Sequence, residues 1–108
     1  MIDSHIEFNR IGRSRVWYNN NSVHREDDGP SIEYCNGNMR LWYKHGSKHR
    51  DGDLPAVERD GDMWKEWWKN GQRHRDNGPA IEFASGKRVW YTHDEFIRSE
   101  PAAESNGY

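Results

Sequence analysis

Six histidines, one cysteine and a series of evenly spaced arginines are the residues of this chain whose side chains could do chemistry. His24, His49 and His74 recur every 25 residues, and each is followed by an arginine: Arg25, Arg50 and Arg75. Histidine ligates zinc, but tetrahedral sites use tight ligand pairs and usually cysteine. These histidines stand a full repeat apart, and the neighbouring guanidinium would repel a cation. His45 and His49 are closer in sequence, but a glycine turn lies between them. The expectation is a structural imidazole that hydrogen-bonds its own corner, with no metal and no cofactor. The arginines have two readings. Each is a bracket that holds a nearby acid such as Asp27, Asp51 or Asp76, or the three form a basic ladder for an anionic partner. The bracket is preferred, because acids lie within a few residues of every arginine.

A cysteine nucleophile needs an adjacent base and surroundings that favour the thiolate. Cys35 sits beside Asn36-Gly37, among residues that repeat elsewhere. The chain has no Ser-His-Asp order, nucleophile elbow or phosphate loop. It reads as a protein that is not an enzyme.

The elements that must position these residues come from an internal repeat, the first thing to seek in a sequence. Trp17-Tyr18, Trp42-Tyr43 and Trp67-Trp68 keep the spacing of 25, and Trp90 follows Trp67 after 23. Pro30, Pro55 and Pro79 follow the histidines by five or six residues. Ile32-Glu33-Tyr34, Val57-Glu58-Arg59 and Ile81-Glu82-Phe83 come next, and Ile6-Glu7-Phe8 is an earlier copy without its His-Arg. Each unit predicts a short strand, a tight turn (Asn36-Gly37, Asp60-Gly61 or Ser85-Gly86) and a returning strand that ends in Trp-Tyr. A second turn at His45-Gly46 or Asn70-Gly71 leads into a polar corner closed by proline. The fold class is therefore all-β: tandem antiparallel β-hairpins forming one meander in a single domain over residues 1–98. A tail at 99–108 is expected to be disordered.

Composition agrees with this layout. Two Leu, six Ile and four Val are few for 108 residues, and 31% of the chain is charged. Such a balance leans toward disorder, but six Trp, five Tyr and three Phe reverse it. Trp17, Trp42, Trp67 and Trp90 are expected to stack in register from hairpin to hairpin, so that each unit is stabilised by its neighbours. The net charge is −2, from 16 basic and 18 acidic residues. That disfavours generic binding to a phosphate backbone. The lone cysteine, and the lack of a signal sequence or apolar span, point to a soluble cytoplasmic protein.

The third hairpin breaks the pattern at two positions. Arg59 stands where other units have Phe8, Tyr34 and Phe83, and Glu66 where they have Val16, Leu41 and Val89. Facing each other, the two would form an ion pair in place of an aromatic–aliphatic contact. Trp64 and Trp68 share the strand face of Glu66 by alternation. Arg59, Trp64, Glu66 and Trp68 are the candidate partner-binding residues, since Trp among charges is a common interface composition. Trp64 lies outside the repeat register and has two readings, core filler and partner anchor. The second corner also departs: Asp51-Gly52-Asp53-Leu54-Pro55 displaces its glycine, so a different shape is expected there.

With those residues in place, the chain resembles tandem repeats of phage, bacterial and giant-virus proteins with the pattern W-Y-x-N-G-x-x-H-R-x-D-G-P-A-I-E, which are similar to the MORN repeat. The matching stretches are Trp17 to Tyr34, Trp42 to Val57 and Trp67 to Phe83. The resemblance implies an all-β scaffold that presents surfaces to partners. It further implies a small viral protein in the host cytoplasm that blocks a host defence protein, such as a nuclease or CRISPR effector. Two other readings stand beside it. One is a nucleic-acid binder that stacks bases on exposed rings. The other is a structural or virion-associated component that self-associates through open sheet ends.

Overall fold

The computed structural model describes residues 2–9, 12–35, 38–59 and 64–102. Within them, runs that alternate apolar and charged side chains form strands, and Asn, Gly and Pro break them. β1 (Ile2–Asn9) and β2 (Gly12–Asn19) make a long first hairpin, and β3 (Ser22–Val23) folds back on the end of β2. The second unit holds β4 (Ile32–Tyr34), β5 (Met39–Leu41), β6 (Tyr43–Lys44) and β7 (Ser47–Lys48). The third holds β8 (Val57–Arg59), β9 (Trp64–Glu66), β10 (Trp68–Lys69) and β11 (Gln72–Arg73). The last comprises β12 (Ile81–Phe83), β13 (Arg88–Thr92) and β14 (Glu95–Glu100).

The main sheet runs β1-β2-β4-β5-β8-β9-β12-β13-β14, with every pair antiparallel. The ribbons β6–β7 and β10–β11 are separate. This is the all-β meander of tandem hairpins expected of the repeat. Ser99 and Glu100, placed in the tail by the sequence, are residues of β14, while residues 103–108 lie outside the described part. So do the expected turns at Asn36-Gly37 and Asp60-Gly61. The Ser85-Gly86 turn is described: Gly86 has φ 96° and its N–H donates to the Phe83 carbonyl at 2.9 Å.

The second turn of each unit places two residues at positive φ, the conformation of a type I′ hairpin. Gly46 and Gly71 meet this without strain at 82° and 80°. Asn20-Asn21 and His93-Asp94 fill the same place at the two ends of the molecule, positions the repeat pattern did not reveal. Just before each turn, Trp42 and Trp67 interrupt a strand. Their N–H groups donate to Ala56 and Ala80 at 2.8 and 2.7 Å, as Trp17 does to Ser31 at 2.9 Å. These acceptors follow Pro55, Pro79 and Pro30, and all three are almost fully enclosed. Ser31 Oγ adds a bond to the Tyr43 carbonyl and accepts one from the Tyr43 N–H, both 2.9 Å.

Register assigns the two faces. On one, cross-strand neighbours run Val16, Ile32, Leu41, Val57, Glu66, Ile81, Val89. This apolar row includes a core cluster of Tyr34, Leu41 and Val57 onto which Ile32, Met39, Tyr43 and Trp68 pack. On the other face the row reads Arg15, Glu33, Arg40, Glu58, Lys65, Glu82, Arg88, Glu100. The sign changes at every step, so each cross-strand pair on this ionic face is attractive.

The four recurring tryptophans follow this ionic row by two residues on their strands, in register as expected. The expected stacking of ring on ring is not what holds them. Among the described residues none of the four indoles stacks on another. Arg25, Arg50, Arg75 and Arg98 cap Trp17, Trp42, Trp67 and Trp90, with the guanidinium carbon 4.0, 3.7, 3.8 and 3.8 Å from the ring centroid. The physical reason is spacing. Successive indoles are separated by a whole corner loop, and a flat guanidinium covers each ring instead, offering cation–π attraction of ~0.5–2 kcal/mol. Trp42 and Trp67 also donate Nε1–H to the carbonyls of Asp28 and Asp53 in the loop between, at 2.9 and 3.1 Å.

Candidate functional site

The corners bear the histidines and arginines. His49 Nε2 lies 2.8 Å from Asp51 and His74 Nε2 lies 2.7 Å from Asp76, while His24 pairs with Glu26. The other ring nitrogen reaches into the next unit. Nδ1 of His24, His49 and His74 accepts from the N–H of His45, Asn70 and His93 at 3.0, 3.0 and 3.1 Å. An accepting Nδ1 puts the proton of the neutral ring on Nε2, where it donates to the carboxylate. Each histidine thus ties its own corner to the following turn. His45 and His93 add a ring contact to His24 and His74, with centroids 4.4 and 4.2 Å apart. Among the described residues no group of three His, Cys, Asp or Glu is placed to hold a metal ion.

The arginines bracket their corners, but mostly not through the acids named from sequence. Arg25 does hold Asp27, at 2.6 Å. Asp51 instead pairs with Lys44 and His49, and these two hold its carboxyl down at about 2. Asp76 pairs with His74. The contact all three arginines share is the carbonyl of their own proline: Pro30, Pro55 and Pro79 at 3.1, 3.0 and 3.2 Å. Glycine makes room for this in the first corner, where a Cβ on Gly29 would meet Arg25 Cζ at 2.5 Å. In the second corner Leu54 stands before the proline and is left exposed. Asp53, at φ 57°, reaches across to Arg75 at 3.0 Å, so the departure seen in sequence links two corners. Cavities of about 290 and 200 Å³ lie between successive corners. Their walls are these bonded corner residues, so they are seams between units.

A different arrangement occupies the apolar face of the third unit. Glu66 is 8% exposed within the apolar row. Its carboxylate accepts from Trp64 Nε1 at Oε2 and from Trp68 Nε1 at Oε1, both at 2.7 Å. One buried carboxylate therefore fixes two half-buried indoles, one on each side along the strand. Trp64 also meets the Phe83 ring edge to face, with centroids 4.8 Å apart. The expected Arg59–Glu66 pair is not formed. The register sets Val57 opposite Glu66 and Arg59 opposite Trp64, which leaves Arg59 exposed beside the indole. The fold thus brings together Trp64, Glu66 and Trp68, with Arg59 at their rim.

Sequence reasoning missed the cations around this clasp. Trp68 has Lys48 Nζ over its ring at 4.5 Å and Arg73 Cζ at 4.9 Å, and Arg73 lies 5.5 Å from the Tyr91 centroid. The signal was present: Lys48 and Arg73 stand 25 residues apart, next to the repeated His49 and His74. At the far end of the same face Tyr18 donates to Glu7 at 2.6 Å, which pushes its phenol up to about 12. The sheet's two end strands expose Phe8 on β1 and Phe96 and Ile97 on β14. Cys35 is exposed.

Comparison with family models, with curated proteins and with solved structures finds no match for this chain.

Proposed function

We propose that this chain is a non-catalytic, protein-binding repeat module that engages its partner through the apolar face of the third unit. The Glu66 clasp carries this reading. Stability alone does not call for a buried carboxylate, because an apolar residue of similar size is often neutral or better in such a place. Valine or leucine fills that place in three other strands. What the carboxylate supplies is orientation: it holds two indoles before any partner arrives, which lowers the ordering cost of binding. Half-buried tryptophans beside an exposed arginine have the composition of interface hot spots. The resemblance to phage repeats supports a narrower version, a small viral protein that blocks a host defence protein.

A pull-down from host lysate tests this with the native chain, Trp64→Ala and an Arg59→Phe/Glu66→Val double variant. The double change restores the residues usual in the repeat. It is expected to keep or raise thermal stability while partner recovery falls. Equal recovery by folded native and variant baits would remove the third unit as the site. No specific recovery by folded native bait would count against the module itself.

A further inference from the structure

We infer that the apolar face receives an acidic, extended polypeptide segment, whose carboxylates meet Lys48, Arg59, Arg73 and Lys87 and whose apolar side chains meet Trp64 and Trp68. This rests on the protein-binding reading above and names the chemistry of the partner. The observation behind it is an unequal distribution of charge pairing. On the ionic face and its corners, Arg25, Arg40, Arg50, Arg75, Arg88 and Arg98 pair with carboxylates of the chain, and only Arg13 and Arg15, on β2 in the first unit, lie over Phe8 and Trp17 without an acid partner among the described residues. On the apolar face, Lys48, Arg73 and Lys87 lie over aromatic rings and Arg59 stands exposed. Among the described residues none of these four has an acid partner. Among the described carboxylates near them, Glu66 is engaged by two indoles, Glu7 by Tyr18 and His5, and Asp94 by the backbone N–H of Arg73.

Arg73 shows the consequence most clearly. Its Nε is buried and has no hydrogen-bond partner. The Trp68 and Tyr91 rings lie near the guanidinium without neutralising it, and a cation partly withdrawn from water attracts an anion more strongly than a fully hydrated one does. The repeat supports the same direction. Val23, Lys48 and Arg73 are the residues opposite Tyr18, Tyr43 and Trp68 in successive ribbons. The position becomes cationic only in the second and third units, toward the clasp. Trp64, Glu66 and Trp68 recur on one face of a single stretch of chain, where alternate residues stand about 7 Å apart, the repeat of alternate side chains in an extended ligand. A nucleic acid is the less favoured occupant. Its phosphates would also meet the acidic corners, and the chain as a whole carries −2.

Titrating the full chain with a synthetic peptide of alternating Glu and Leu, followed by tryptophan fluorescence, tests the assignment. A peptide with Lys for every Glu and a single-stranded oligothymidine serve as comparison probes. Binding of the acidic peptide is expected to weaken about tenfold in Arg59→Glu/Lys87→Glu and in Lys48→Gln, and to fall with salt. Arg88→Gln, on the opposite face, should bind as the native chain does. The inference is overturned if the folded native chain ignores the acidic peptide, takes the Lys peptide equally well, or prefers the oligothymidine. It is also overturned if Arg88→Gln costs as much as the charge reversals. Should lysate recovery depend on Trp64 but not on these cations, the binding module stands and its acidic partner does not.

Discussion

The two faces of one sheet handle the same residue types in opposite ways. Both set arginine or lysine against aromatic rings. On the ionic face every cap over Trp17, Trp42, Trp67 and Trp90 is also tied to a carboxylate, directly in the same corner, from a neighbouring corner or from the charge row. There the cation–π pairs are structural: they cement corner loops onto a sheet that has few aliphatic residues. On the apolar face, among the described residues, the ring–cation contacts of the third unit have no acid to close them, and the buried carboxylate of Glu66 is taken up by indole N–H groups. A cation over a ring is thus not by itself a sign of binding. In the capped corners the charge of the guanidinium is answered within the chain; over Trp68, among the described residues, it is not.

The largest effect should come from the ionic face. Trp67→Ala removes a ring that is 6% exposed, its Arg75 cap and its bond to the Asp53 carbonyl. It should cost ~3–5 kcal/mol in urea unfolding, enough to leave a small domain near its unfolding midpoint. A loss under ~1 kcal/mol would mean that the capped tryptophans are not the cement.

Glu66→Ala should cost ~1–3 kcal/mol, because it opens a gap in the apolar row and orphans two indole donors. Tryptophan emission should shift to the red as Trp64 and Trp68 loosen. Unaltered emission with full stability would show that the clasp does not hold the rings. A smaller loss, ~0–1 kcal/mol, is expected for Arg40→Gln, since Glu58 keeps Arg50 and partly exposed pairs are screened. If it matched Glu66→Ala, the charge row would be a principal stabiliser and the contrast between faces would narrow.

The smallest effect concerns pH. Tyr18 titrates at about 12 in the fold because it donates to Glu7, against ~10 in an unfolded chain. A raised folded pKa stabilises, and here the contribution is complete below pH ~10 and disappears as pH rises through about 12. Spectrophotometric titration should show Tyr18 ionising late, beside a Tyr43 that burial also raises, and Glu7→Gln should bring Tyr18 down while leaving Tyr43 where it is. If Glu7→Gln leaves the late-ionising component unchanged, the bond is absent in solution.

Much of the architecture was legible because it is local and repeated. His-Arg, Pro and Ile-Glu-aromatic at one period announce hairpins and corners whatever the rest of the chain does. Asn-Gly and His-Gly announce turns, because few other residues accept positive φ. Glu66 and Arg59 stood out as a break in the pattern, and parity alone placed Trp64 and Trp68 beside Glu66. The same parity did not say what the carboxylate bonds. Arg59 does not meet Glu66 because the register offsets the two by two residues.

The residue order was enough to show that this chain must be a β-repeat, since hairpin turns and alternation are short-range properties that each unit specifies for itself. Long-range proximity is not written in any one unit. Which rings touch, that guanidinium groups rather than indoles cover the tryptophans, and which cations find an acid partner all depend on how successive units align. Net charge sums over the whole molecule, whereas a partner meets only one side of it, and sides exist only once the sheet has formed.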